Sequence, residues 1–191
     1  TAGAGGHHGG KRPWGVYETT LTRKTAQLVG AKPSEVVVMN SLTVNLHLLM
    51  VSFYRPTKER YKIMIEAKAF PSDQYAVASQ LSFHGYDPVD GIVQLEPRNG
   101  EAAIRSEDIF QTIEKEGKSI NLILIGGVNY YSGQFFNIKE ITRSGHDQGC
   151  MVGFDLAHAA GNVPLELNNW DVDFAAWCNY KYINAGPGSV A

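Results

Sequence analysis

Met-Val-Gly-Phe-Asp-Leu-Ala-His (151–158) and Asp-Phe-Ala-Ala-Trp-Cys-Asn-Tyr-Lys-Tyr (173–182) carry the decisive pattern, with Asn-Ala-Gly-Pro-Gly (184–188) behind them. In the first, an apolar run of strand length ends on a carboxylate, Asp155. In the second, another apolar run leads to Tyr180 and Lys181, and glycines follow. Short apolar runs bounded by polar and turn residues are the mark of strands buried on both faces. Two such strands would bring one carboxylate and one lysine to the end of a sheet.

The same alternation runs back through the chain. Glu18 to Leu28 reads as a polar, loosely amphipathic helix, after a Gly- and His-rich stretch over 1–13 that reads as loop. Val36-Val37-Val38-Met39 reads as a strand, followed by an apolar helix from Ser41 or Leu42 to about Tyr54, before Pro56. Residues 61–66 read as a strand, and Pro71 opens a helix to about His84. Ile92 to Leu95 is a short strand. Ser106-Glu107-Asp108 starts a helix to Lys115, stopped by Gly117. Ile120 to Ile125 is a fully apolar strand, 137–148 a helix, 151–155 a strand and 172–177 the last. Strands alternating with helices predict an α/β fold with a mainly parallel sheet flanked by helices.

The bulk figures exclude several classes. The 191 residues suffice for one large core. With 43% hydrophobic and 19% charged residues, the chain reads as globular rather than disordered. A formal net charge of −2 offers no basic surface for nucleic acid. The most apolar stretch, Leu42 to Tyr54, holds Asn45 and His47 and is too short to cross a bilayer. No secretory signal is visible, and two cysteines are not a disulfide framework, so a reducing, cytoplasmic setting is expected. Neither end, Thr-Ala-Gly-Ala-Gly-Gly or Gly-Ser-Val-Ala, has the look of a natural terminus, which predicts a piece of a longer protein.

In parallel sheets ligands gather beyond the carboxyl ends of the strands, so the residues there are the candidates. Asn40-Ser41-Leu42-Thr43 opens a helix whose free N–H groups and Thr43 hydroxyl could grip a phosphate; helix capping is the commoner use of such residues. Ala69-Phe70-Pro71-Ser72-Asp73 offers Phe70 as a ring stacker and Ser72 or Asp73 as polar contacts, against a reading as core and first-turn charge. Gly126-Gly127 allows a backbone to approach a ligand, or simply a tight turn. Asp155 needs a partner or a cap to fill, with His158 three residues on. Lys181 is either functional or an exposed loop lysine. His7-His8 lacks a third ligand at zinc spacing, so no metal site is expected. Taken together, a phosphate grip, a ring stacker, a carboxylate and a lysine are the parts list for pyridoxal 5′-phosphate (PLP). The lysine holds that cofactor as a Schiff base, and the carboxylate keeps its ring nitrogen protonated.

Five stretches resemble kynureninases, and the similarity runs over nearly the whole chain: Gly-Lys-Arg-Pro-Trp (10–14), Met-Asn-Ser-Leu-Thr-Val-Asn-Leu-His-Leu-Leu-Met (39–50), Glu-Ala-Lys-Ala-Phe-Pro-Ser-Asp (66–73), Gly-Phe-Asp-Leu-Ala-His-Ala (153–159) and Tyr-Lys-Tyr-Ile-Asn-Ala-Gly (180–186). The resemblance implies an aspartate-aminotransferase-like fold. Residues 1–191 would form most of the PLP-binding large domain, with the rest of that domain and a small domain absent. It implies that Lys181 carries the cofactor and shuttles the α-proton. Asp155 would pair with the ring nitrogen beside His158, and Leu42, Thr43 and Tyr180 would lie at the phosphate. Phe70 would stack on the ring, with Pro71, Ser72 and Asp73 in the same segment, and His7 would approach the substrate's ring. Tyr180 is also a candidate proton relay. Gly126 stands where the resemblance expects Ser. The implied reaction is hydrolysis of L-kynurenine or its 3-hydroxy form by a homodimer acting on a small molecule. A cysteine-desulfurase-type PLP lyase and an inactive, truncated scaffold are the rivals.

Overall fold

In the computed structural model, which describes residues 3–17 and 19–191, five parallel strands form one sheet. The strands are β1 (Lys62–Glu66), β2 (Ile92–Leu95), β3 (Ile120–Gly126), β4 (Met151–Asp155) and β5 (Phe174–Ala176). Their spatial order is β2-β1-β3-β4-β5. The chain therefore steps outward from β1 in one direction to β2, then returns across β1 to β3. The seam between β1 and β3 is the point where connections leave in opposite directions, and such seams open a crevice at the strand ends.

Alternation along the strands builds two cores. On β3, Leu122 and Leu124 face one side with Ile63 and Ile65 of β1. There they meet Leu46 and Met50 of α2 (Leu42–Phe53), and Val77 and Leu81 of α3 (Pro71–Phe83). Ile123 and Ile125 face the other side with Met64 and Val152. A short helix, α4 (Pro88–Gly91), enters β2. Beyond it Ile109 and Ile113 of α5 (Ser106–Glu116), with Ile138 and Ile141 of α6 (Ile138–Asp147), cover that second face. Both faces of a parallel sheet are thus buried, as the apolar runs require. Gly153 lets β4 and β5 close up: a Cβ there would lie 2.2 Å from the Phe174 ring.

Local chemistry sets the helix starts. Pro71 occupies the first turn of α3, where its missing N–H costs nothing. Asp87 caps α4 by accepting from Val89 N at 2.9 Å, and Asn137 caps α6 by accepting from Glu140 N at 3.2 Å. The amino-terminal helix α1 spans Thr19–Val29; Glu18, expected to open it, lies outside the described residues. Two expectations change. The 1–13 stretch is not all loop, since Gly3–His7 forms a 3₁₀ turn.

The second change concerns Val36–Met39, which is extended but belongs to no strand. Its backbone pairs with the far end of the chain: Met39 N donates to Ala191 O at 3.0 Å, and Ala191 N donates to Asn40 O at 2.8 Å. Between this segment and β5 runs a groove of about 550 Å³, lined by Val36, Val37 and Met39 on one side and Phe174 and Ala175 on the other. A valine run favours a strand only where a neighbouring strand gives it a pleated surface to pack on, and here none lies alongside.

Candidate active site

The carboxyl ends of β1, β3 and β4 open onto one cleft of about 210 Å³. Glu66 ends β1, Gly126 ends β3 and Asp155 ends β4, with Gly126 and Asp155 in register. The start of α2 brings Ser41, Leu42 and Thr43, and the start of α3 brings Phe70, Ser72 and Asp73. The segment after β5 brings Cys178, Tyr180 and Lys181, and the turn after β4 brings His158. The cleft gathers residues from five separate stretches of sequence.

Asp155 is 8% exposed, and its Oδ1 accepts from Ala157 N at 2.7 Å. It also shares a hydrogen bond with Asp73 from α3. Burial, and then the neighbouring Asp155, push the Asp73 carboxyl up to about 9. Glu66 is 4% exposed and accepts from Gly126 N at 3.1 Å; burial pushes it up to about 7. Asp73 therefore holds its proton at neutral pH, and Glu66 gives its proton up only around neutrality. That is the signature of a floor lacking a compensating positive charge.

Lys181 stands above this floor. Its Nζ lies 3.0 Å from His158 Nε2, 5.5 Å from the Phe70 ring centre and 5.7 Å from that of Tyr180. Burial, then the Lys181 charge, lower the His158 pKa, so its Nε2 is available to accept from the ammonium. Burial chiefly raises the Tyr180 pKa, keeping its phenol protonated.

The start of α2 is open to the cleft. Ser41 precedes the helix, yet its side chain makes no cap hydrogen bond. The first-turn N–H groups at Leu42 and Thr43 are then not served by the usual cap, and a helix start in that condition suits an anion such as phosphate. Ser189 Oγ, also on the cleft, is buried without a partner. An open helix start, an orphaned hydroxyl, a proton-holding floor and a lysine among aromatic rings fit a phosphorylated, cationic ring.

Most of the candidates read from sequence come together here: Leu42, Thr43, Phe70, Ser72, Asp73, Gly126, Asp155, His158, Tyr180 and Lys181 all line the cleft. Pro71 opens α3 behind Phe70. His7 does not line it; its ring packs edge-on to Trp14 at 5.4 Å. The sequence reading passed over Glu66 and Tyr130; Cys178, a buried thiol, also borders the cleft. Glu66 was counted as the last residue of a strand, although a charge at the end of an apolar run was the available signal. Tyr130, in the loop after β3, meets Phe70 edge-on at 5.2 Å. No group of His, Cys, Asp and Glu suited to a metal occurs among the described residues.

A parallel sheet with this order, carrying an acid and a lysine at its strand ends, defines an α/β protein of the PLP-transferase type. The chain belongs to the aminotransferase class-V family, whose model matches residues 2–190. It is 64% identical over 190 residues to the kynureninase of Koribacter versatilis (strain Ellin345), covering 100% of this chain and 45% of that protein. It is 58% identical over 188 residues to that of Myxococcus xanthus (strain DK1622), covering 98% and 44%. It is 57% identical over 186 residues to that of Nematostella vectensis, covering 97% and 40%. The chain thus spans less than half the length of these relatives. Among solved structures, the apo cysteine desulfurase from Thermococcus onnurineus NA1 superposes with a TM-score of 0.72 at 20% identity, over 91% of this chain and 41% of that one. A cysteine desulfurase from Escherichia coli also gives 0.72, at 15% identity, over 96% and 45%. At such identities the likeness concerns the fold. No helix among the described residues is long and apolar enough to cross a membrane.

Proposed function

We propose that this chain is most of the PLP-binding large domain of a kynureninase. The whole protein would hydrolyse L-kynurenine or 3-hydroxy-L-kynurenine to anthranilate or 3-hydroxyanthranilate and L-alanine, in tryptophan catabolism and NAD biosynthesis. The observation that carries this reading is the meeting of Asp155 and Lys181 in one cleft, within a chain 57–64% identical to the three kynureninases above. The desulfurase alternative rests on the fold alone.

When bound, PLP supplies an electron sink that stabilises a carbanion next to the substrate amine. Everything else falls to residues of the chain. Lys181 holds the cofactor and then takes the proton from the substrate's α-carbon. His158 Nε2, 3.0 Å away, accepts a hydrogen bond from Lys181 and holds the amine over the floor. Asp155, its Oδ1 pinned by Ala157 N, keeps the ring nitrogen charged. The α2 start binds the phosphate through Leu42 and Thr43, Phe70 covers a ring face, and Asp73 and Ser72 hold that segment against Asp155. Tyr180 gives or takes a proton near the phosphate.

The whole protein is further proposed to be a cytoplasmic homodimer. The outer face of α2 supports a partner surface, because Val44, Leu48 and Val51 recur at helical spacing and are about half exposed. Borohydride reduction with PLP followed by peptide mapping tests the cofactor reading. A pyridoxyl adduct on Lys181 is expected; an unmodified Lys181 in the full natural protein would refute it.

A further inference from the structure

The reaction sketched above uses two of the three acids on the cleft floor. Glu66 is the third, and its position is specific. It ends β1 at the seam with β3, where Gly126 N donates to its Oε1 at 3.1 Å. A Cβ on residue 126 would lie 2.8 Å from that same oxygen, so the glycine lets the carboxylate sit against the β3 backbone, and a side chain there would push it aside. Gly126 is in register with Asp155 on the next strand, and Glu66 therefore reaches across β3 toward the Asp155 carboxylate.

The other neighbours set its electrostatics. From the loop after β3, Asn129 contributes a side-chain hydrogen bond. The Asn129 Oδ1 is already taken by Tyr131 N at 3.0 Å and Ser132 N at 2.9 Å, so its amide N–H faces Glu66. From β4 Asp155 repels it, and the charges of Glu66 and Asp73 repel each other from β1 and α3. From β2 the residue in register is the uncharged Leu95. The nearby cations are directed elsewhere: Lys181 to His158, and Lys68 over the Tyr131 ring at 4.9 Å. Like charges crowded in a buried site cannot all ionise unless a cation joins them.

We propose that Glu66 is a proton-holding acid that couples occupancy of this cleft to proton release: it stays protonated while the floor lacks a cation, and gives up its proton when a pyridinium-type cation pairs with Asp155. The inference rests on the PLP reading above. The bond that breaks is the Glu66 carboxyl O–H, the proton leaves to solvent or to the incoming ring nitrogen, and no electrons are transferred. Glu66 does not touch the reacting atoms; it is a positioning residue acting through the charge at Asp155 and through Gly126.

Calorimetric titration of the full natural apoprotein with PLP, in buffers of different ionisation heat, counts the protons exchanged per site. Glu66→Gln removes the titrating group while keeping an acceptor for Gly126 N. The two proteins are expected to differ by up to about one proton per site near pH 6, a difference fading by about pH 9, where Glu66 is ionised in both states. Glu66→Asp should retain part of the difference. Equal proton counts in wild type and Glu66→Gln, with the Lys181 adduct formed in both, would overturn this inference and leave the cofactor reading intact. Absence of PLP binding and of the adduct in the wild type would overturn both. Should Glu66→Gln fail to fold, the carboxyl infrared difference spectrum of the wild type decides. Loss of a protonated-carboxyl band on PLP binding, retained in Asp73→Asn, supports the assignment, and an unchanged band refutes it.

Discussion

The two ends of the sheet are built on opposite principles. At the amino ends of the strands several charges are tied to partners within the chain. Arg60 donates to Ile120 O at 2.9 Å and to Gln148 O at 2.8 Å, tying β3 to the segment before β4. Lys62 meets Glu116 at 3.1 Å, and Asp173 accepts from Val152 N at 2.7 Å and lies 2.9 Å from His146. At the carboxyl ends Glu66, Asp73 and Asp155 crowd together, a helix start has no side-chain cap, and a hydroxyl is orphaned. One end is satisfied by its own residues and serves stability. The other is left wanting a cation and an anion, and that want is what binding a charged ring would relieve. The contrast separates structural from functional polar groups on energetic grounds.

The contrast can be broken most decisively at Lys181. Lys181→Ala should abolish the pyridoxyl adduct and its absorbance altogether, with little change in melting temperature; an intact adduct elsewhere on the chain would remove the lysine from the functional end. Next in size is the satisfied end. Arg60→Met strips two charged hydrogen bonds from buried carbonyls and should cost about 3 kcal/mol in urea unfolding. No loss there would mean those carbonyls find water.

The functional end should respond with the opposite sign. Glu66 holds its proton to about pH 7 when folded, against an ordinary carboxyl value of 4.5. The folded state thus binds the extra proton across that interval, and stability falls as pH rises from about 4.5 to 7, then levels. Glu66→Gln should therefore stabilise the apoprotein at pH 8 by on the order of 2 kcal/mol and do nothing near pH 4. Melting curves at the two pH values check it, and equal shifts at both would show that the charge is already compensated. A smaller effect is expected from Thr43→Ala at the α2 start, which should weaken PLP binding about fivefold, roughly 1 kcal/mol. Fluorescence titration measures this. Smallest of all, Arg105→Ala breaks an exposed pair with Glu101 and should leave the melting temperature unchanged.

Much of this organisation is legible in the chain. Short apolar runs ending in a carboxylate mark β1 and β4, because a strand buried on both faces leaves only its end for a polar group. Asp155 was found that way, and Lys181 from its place shortly after the apolar run that holds β5. Glu66 obeys the same rule and was missed because it was counted inside its strand. Tyr130 was missed for another reason: an aromatic ring carries no sign of whether it faces core or cleft, and only its neighbours decide. The valine run at 36–39 misled because β-propensity reports a surface to pack against rather than a property of the residues alone.

Sequence by itself determined the alternation of strands and helices, the parallel class of sheet, and the acid and lysine at two strand ends, since these follow from local periodicity and solvation. Tertiary structure alone decided the strand order, the seam between β1 and β3, and the crowding of three acids from β1, α3 and β4 on one floor. Those depend on contacts between residues up to about a hundred positions apart, whose charges perturb one another only once folding removes the water between them.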